Sequence, residues 1–101
     1  MHISTAAATL ALLGTAQAYT LSVYTKDNYA GTRRSLSSQG SLTGNFHSYK
    51  WSKGSGGYCV RFCENKTYLG YRCDSYSNNA IWFNNARIYK YGTTMPSCPG
   101  A

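Results

Sequence analysis

Tyr24-Thr25-Lys26-Asp27-Asn28-Tyr29-Ala30-Gly31 and Phe62-Cys63-Glu64-Asn65-Lys66-Thr67-Tyr68-Leu69-Gly70 are two versions of one phrase. Each runs from an aromatic through a polar turn to a second aromatic, one spacer and a glycine, and the second copy is one residue longer. Tyr29-Ala30-Gly31 returns 39 residues on as Tyr68-Leu69-Gly70, while Asn45, Tyr49, Lys50 and Trp51 return 40 residues on as Asn85, Tyr89, Lys90 and Tyr91. Self-similarity at a fixed period marks a duplicated structural unit. Around these phrases, short aromatic and β-branched runs end in polar punctuation: Leu21, Val23 and Tyr24 before Lys26-Asp27-Asn28; Tyr58, Val60 and Phe62 before Glu64-Asn65-Lys66; Ile88, Tyr89 and Tyr91 before Gly92. Such spacing predicts an all-β domain with no helix after the leader. The Ser- and Gly-rich stretches at 35–44 and 52–57 read as loops, the second joining the two halves. Motif one is expected at about 19–53, motif two at about 57–92, and a tail at 93–101 held by Cys98.

Residues 1–18 read as an export signal. Ile3 to Ala16 is small and apolar, too short to span a bilayer as a mature helix, and is followed by Ala16-Gln17-Ala18, an A-x-A cleavage pattern. Cleavage after Ala18 leaves one small domain whose apolar core alone is marginal, which calls for staples. Cys59, Cys63, Cys73 and Cys98 supply them, because an even cysteine count in an exported chain implies two disulfides. Zinc fits poorly, since no C-x2-C pair is present. Of the three connectivities, Cys59 to Cys63 is disfavoured, the two lying about 13 Å apart on one extended strand. Cys63 with Cys73 across a hairpin and Cys59 with Cys98 at the tail is the expected pairing.

Ten Lys and Arg against three acids give a net charge of +7, all of it after the leader. The chain is therefore drawn to anionic partners, without distinguishing among acidic protein, lipid headgroup, polysaccharide or nucleic acid. The charges are scattered, Arg33-Arg34 being the only adjacent pair, so no specific nucleic-acid recognition is expected.

The two phrases, with Ser35 following the first, resemble the signature of the βγ-crystallin Greek key. The resemblance implies a single-domain two-sheet sandwich of two duplicated Greek-key motifs. In it the first hairpin of each motif folds back over the sheet, and Gly31 and Gly70 take backbone conformations closed to residues with a Cβ. Many motifs of that family bind calcium through two Asn or Asp, two spacers and two hydroxyl residues. Asn84-Asn85-Ala86-Arg87-Ile88-Tyr89 keeps the first pair and loses the hydroxyls, and Gly44-Asn45-Phe46-His47-Ser48-Tyr49 is no closer, so no metal or other cofactor is expected. Small secreted, disulfide-linked proteins of this fold include microbial killer toxins and antifungal proteins, and similar exported chains in fungi act as effectors on a host protein.

Catalytic groups are scarce: His47 is the one histidine after the leader, and Asp27, Glu64 and Asp74 are the only acids. A ribonuclease using His47 and Glu64 is the most distant of the alternatives, as nothing in the spacing brings the two together. No nucleophile motif surrounds any serine. Aromatic residues, by contrast, exceed what a small core needs. Tyr49, Lys50, Trp51, Lys53, Trp82, Arg87, Tyr89 and Lys90, with Tyr76 and Tyr91 beside them, form the expected recognition patch, as Trp, Tyr and Arg dominate binding hot spots. Asn65-Lys66-Thr67 is an N-glycosylation sequon at a predicted hairpin tip. These features lead to the expectation of a secreted, monomeric, non-catalytic interaction protein of effector type. Its partner would be a host or target-cell protein or an anionic cell-surface component, the alternative being an antimicrobial acting on a target-cell wall or membrane.

Overall fold

The computed structural model describes residues 18–100. The leader therefore lies, but for Ala18, outside the described residues. Eight strands follow one another with no helix among the described residues: β1 (Thr20–Lys26), β2 (Ala30–Leu36), β3 (Gly40–Phe46), β4 (Ser48–Ser52), β5 (Tyr58–Glu64), β6 (Thr67–Arg72), β7 (Tyr76–Asn78) and β8 (Phe83–Lys90). They form two antiparallel four-stranded sheets, ordered β2-β1-β4-β7 and β3-β8-β5-β6. The duplication is visible in this order. In each half a hairpin (β1-β2, β5-β6) is joined in its own sheet by its fourth strand (β4, β8), while its third strand (β3, β7) crosses to complete the other sheet.

Period-two alternation decides what the sheets bury. Leu21 and Val23 of β1, Tyr49 and Trp51 of β4, Val60 and Phe62 of β5, and Ala86 and Ile88 of β8 all point between the sheets and are buried. Tyr49 stacks on Phe62 at 4.1 Å, and Phe83 meets both rings edge-on at 5.8 and 5.2 Å. Offset-stacked and edge-to-face contacts of this kind contribute roughly 0.5–1.5 kcal/mol each beyond their burial. Tyr49 and Trp51 are thus core residues, which corrects their expected place in a surface patch: alternation along β4 turns them inward and leaves only Lys50 between them exposed.

The two hairpins are braced by the same device built from different residues. The first turn puts Asn28 and Tyr29 at φ 59° and 60°, a left-handed conformation costly for a bulky side chain. The buried Ser48 hydroxyl holds it, accepting from Tyr29 N at 3.1 Å and donating to Lys26 O at 2.7 Å. In the second turn Asn65 has φ 56°, and Asn84 takes the place of the serine: its Oδ1 accepts from Asn65 N and its Nδ2 donates to Asn65 Oδ1, both at 2.8 Å. Asn65, the sequon residue, is exposed at this turn. Gly31 (φ 80°) and Gly70 (φ 122°) occupy matching places after the turns. Their surroundings differ: a Cβ on Gly31 would run into the Thr25 hydroxyl, whereas one on Gly70 would meet nothing within 4 Å.

The outward face of the second sheet is covered by the C-terminal tail. Arg61, on the outward side of β5, is 1% exposed and donates to Pro96 O at 3.0 Å, to Ser97 O at 2.7 Å and to Asn85 Oδ1. Asn85 in turn donates to Thr43 Oγ1 at 3.0 Å. Burial, and then the Arg87 guanidinium directly across the strand pair, hold the Arg61 pKa below its ordinary value. Tail carbonyls and an amide oxygen thus take the place of a carboxylate partner, and Nε has no hydrogen-bond partner. The disulfides are Cys59–Cys73 and Cys63–Cys98, the reverse of the expected pairing. The cause is hairpin register: β5 and β6 pair Val60 with Arg72, so Cys59 faces Cys73. Cys63, also outward on β5, is left to bind the tail.

Non-reducing peptide mapping should recover these two pairs. The sequence separations are 35 for Cys63–Cys98 and 14 for Cys59–Cys73. Chain entropy assigns about 4 kcal/mol to the longer loop and about 3 kcal/mol to the shorter. Denaturant unfolding of the two double Cys→Ala variants should therefore show the larger loss for the tail bridge. Gly31→Ala, which adds a collision to a strained φ, should cost more than Gly70→Ala, which adds strain of about 1–3 kcal/mol alone.

Candidate functional site

The two halves are not equivalent at their third strands. β3 has 7 residues and closes its side of the sandwich, whereas β7 has 3. The chain leaving β6 is held at both sheets before β7 begins: Cys73 stays beside β5 through its bond to Cys59, its carbonyl accepts from Trp51 Nε1 at 3.4 Å, and the Ser75 hydroxyl accepts from Lys53 N at 3.0 Å. Asn78 Oδ1 then accepts from Ala80 N at 3.0 Å and ends the strand. The side between β6 and β7 is left open.

Depressions border β6 both at this opening and on the outward face beside the tail. One of about 490 Å³ is bordered by Tyr71, Arg72, Asp74, Tyr76 and Tyr91. A second, of about 290 Å³, shares Tyr71 and Tyr91 with it and extends to Tyr89 and Met95. A third, of about 200 Å³, lies between Leu69-Gly70-Tyr71 on one side and Asn78 and Ile81 on the other, with edges of Tyr49 and Phe62 as its floor. A fourth joins Lys66 and Tyr68 to the tail at Met95 and Pro96. Exposed aromatic area is concentrated here: Tyr68 is 48% exposed, Tyr71 54%, Tyr76 42% and Tyr91 69%. Contiguous apolar exposure rimmed by polar groups marks an interaction site more often than scattered single residues do.

Arg72 is the fixed charge of the site. Its guanidinium lies 3.6 Å from the Tyr76 ring centroid, a cation–π stack that orients its plane. The same guanidinium faces the Tyr49 hydroxyl and favours its ionised form, yet burial dominates and raises the Tyr49 pKa. Burial likewise raises Tyr89, with Tyr71 and Tyr68 adding to it and Arg61 opposing. On the rim, Lys53 Nζ lies 3.5 Å from Asp74 Oδ1; both groups are exposed, so the pair orders the loop more than it stabilises the fold.

The expected recognition residues are dispersed by this geometry. Tyr49 and Trp51 are in the core, and Tyr89 is buried on the outward face of β8 against the tail segment; these three are removed from the surface patch. Lys53 reaches the rim through Asp74 and Ser75. Lys50 lies on the outward face of the first sheet, over the Tyr29 ring at 4.6 Å, while Lys90 belongs to the second sheet, so the repeat-related pair does not share a surface. Arg87 is exposed opposite Arg61. Trp82 is 67% exposed and stacks on His47 at 4.8 Å; the imidazole Nδ1 lies 3.6 Å from Asp27 Oδ1. The neighbouring Ser48 is spent on its hairpin bonds, so Asp27 and His47 have no nucleophile there. Asn84 and Asn85 are likewise occupied, one with the β5-β6 turn and one with Arg61 and Thr43. Among the described residues no group of three metal-ligating side chains occurs. Tyr68, Leu69, Tyr71 and Arg72 were absent from the expected patch. Their signal was the failure of β6 to alternate, five of its six residues being exposed.

Comparison with known proteins gives no match to a family model, a curated protein or a solved structure. Among the described residues no helix is long and apolar enough to cross a membrane.

Burial also raises Tyr19, so Tyr19, Tyr49 and Tyr89 all bind their protons more tightly folded than unfolded. Stability should therefore be full below the ordinary tyrosine value of 10.0 and fall as pH rises above it, because the unfolded chain then binds fewer protons than the folded one. Thermal midpoints from pH 8 to about 11 test this, and Tyr49→Phe should flatten the alkaline limb.

Proposed function

We propose that this chain is a secreted, non-catalytic interaction protein of βγ-crystallin-like type, acting in the manner of an effector by binding a protein of a host or target cell. The observation that carries the proposal is the open side of the second motif, where Tyr71, Tyr76 and Tyr91 surround an oriented Arg72. Tyr presents large contact area with few rotors to order, and a planar guanidinium held in place loses little entropy when it meets a carboxylate. The net charge of +7 favours acidic partners and fast encounter with them. A non-catalytic role is supported by the fates of the polar candidates: Ser48, Asn84 and Asn85 serve the fold, and His47 is sandwiched between Asp27 and Trp82.

An antimicrobial acting on an anionic cell surface is the second reading, favoured by the outward face of the first sheet. There Lys50, over the Tyr29 ring, and Arg33 sit among Ser22, Ser35 and Ser77, a cationic, hydroxyl-bearing face suited to an anionic wall or headgroup surface. Growth inhibition of yeasts and bacteria separates the two readings.

Affinity capture from candidate target-cell extract, followed by titration of the captured partner, provides the test. Tyr71→Ser with Tyr91→Ser should weaken binding by tenfold or more, on the scale of a hot-spot loss of about 2 kcal/mol, with the thermal midpoint nearly unchanged. Arg72→Gln should reduce the salt sensitivity of binding. His47→Ala and EDTA should leave binding intact. Loss of binding on chelation, or indifference to the tyrosine pair, would overturn the assignment.

A further inference from the structure

We infer that the free edge of β6 accepts an extended acidic segment of the partner as an added strand; this rests on the open side being the recognition surface and specifies how it is used. β6 ends the second sheet, so one side of its main chain has no strand beside it. An unpaired edge is a template for another chain, and natural proteins commonly blunt such edges with charge, proline or cover. Here the six residues Thr67–Arg72 contain no proline, carry Tyr68, Leu69 and Tyr71 exposed, and hold one charge, Arg72, at the end.

Gly70 is the second observation. Its φ of 122° demands glycine, as does that of its counterpart Gly31, but only at Gly31 is the space beside the Cα filled. At Gly70 the backbone stands bare before the depression floored by Tyr49 and Phe62. A glycine in a strand often marks the place where another main chain comes close. The register shift between Phe62 and Cys63 sits at the same point and bends the edge, dividing it into two short segments around Gly70. An incoming strand thus has main-chain partners at both ends of β6 and room for its own pleat in the middle.

Charge selects the occupant. Lys66 and Arg72 bracket the strand, separated by about 20 Å at the rise of an extended chain. Carboxylates six residues apart on the incoming segment match them, with β-branched residues between to lie against Tyr68, Leu69 and Tyr71. A second copy of this chain brings the same cations to the same edge and is repelled.

The probe is a capped heptapeptide with Glu at both ends and alternating Val and Thr between them, titrated against the full chain from Tyr19 onward with its disulfides intact. In strand addition only the peptide amides on one edge bond the host. N-methylation of alternate residues on that edge should weaken binding at least tenfold, and methylation on the other edge should change it less than twofold. Lys66→Glu with Arg72→Glu should weaken the Glu-ended peptide at least tenfold and favour the same peptide ended in Lys. Absence of saturable binding, equal sensitivity to both methylation patterns, or self-association through β6 in sedimentation would overturn strand addition. If the Tyr71→Ser and Tyr91→Ser pair abolishes partner capture while neither methylation pattern matters, the recognition surface stands and strand addition fails.

Discussion

Exchange of the third strands is the constraint on which the rest of this molecule depends. Each motif alone is three antiparallel strands with an uncovered apolar face, and each sheet reaches four strands only by borrowing β3 or β7 from the other half. Neither half can then bury Leu21, Val23, Val60 or Ile88 without the other, so the duplicated chain folds as one cooperative unit. Packing of the two sheets brings Tyr49, Phe62 and Phe83, from three strands of two motifs, into one aromatic contact.

The exchange is not symmetric, since β3 has 7 residues and β7 has 3. The Cys59–Cys73 bridge keeps the chain beside β5, and the bonds from Trp51 and Lys53 then lead the following loop to β4, where β7 is only 3 residues long. The surface proposed for recognition lies beside this cross-link, which borders it at Cys73. The other bridge, from the same outward face of β5, holds the tail over a buried arginine whose partners are carbonyls. A buried guanidinium without a carboxylate is a poor stabiliser by itself, so the tail is better understood as shelter for Arg61 than Arg61 as an anchor added to a stable tail.

Much of the fold was legible because two short periods, the strand alternation and the 40-residue repeat, reinforce each other. The polar turns at Asn28 and Asn65, the glycines after them and the all-β architecture follow from local chemistry that neighbours do not override. The disulfide pairing was legible in principle: a two-residue turn at Asn65-Lys66 with one bulged residue places Val60 against Arg72, and Cys59 against Cys73 follows. Counted from that turn, Cys63 faces Tyr68 with or without the bulge, which excludes Cys63–Cys73; the bulge, announced only by Gly70, decides whether Cys59 meets Cys73 or Arg72.

The residues of the open side were harder to read for a different reason. Tyr serves equally in a core and on a surface, so Tyr49 and Tyr89 have the same letters around them as Tyr71 and Tyr91, and only the face of the strand separates them. Repeat symmetry misled further, since it pairs Lys50 with Lys90 although the two halves put these residues on different sheets. What distinguishes the open side is a departure from the repeat: the shortened third strand, the non-alternating edge at Tyr68-Leu69-Gly70-Tyr71, and a glycine whose open flank has no counterpart at Gly31. In a duplicated fold the shared positions specify the scaffold. The positions where the copies disagree are free of that duty, and they are where a binding surface has room to arise.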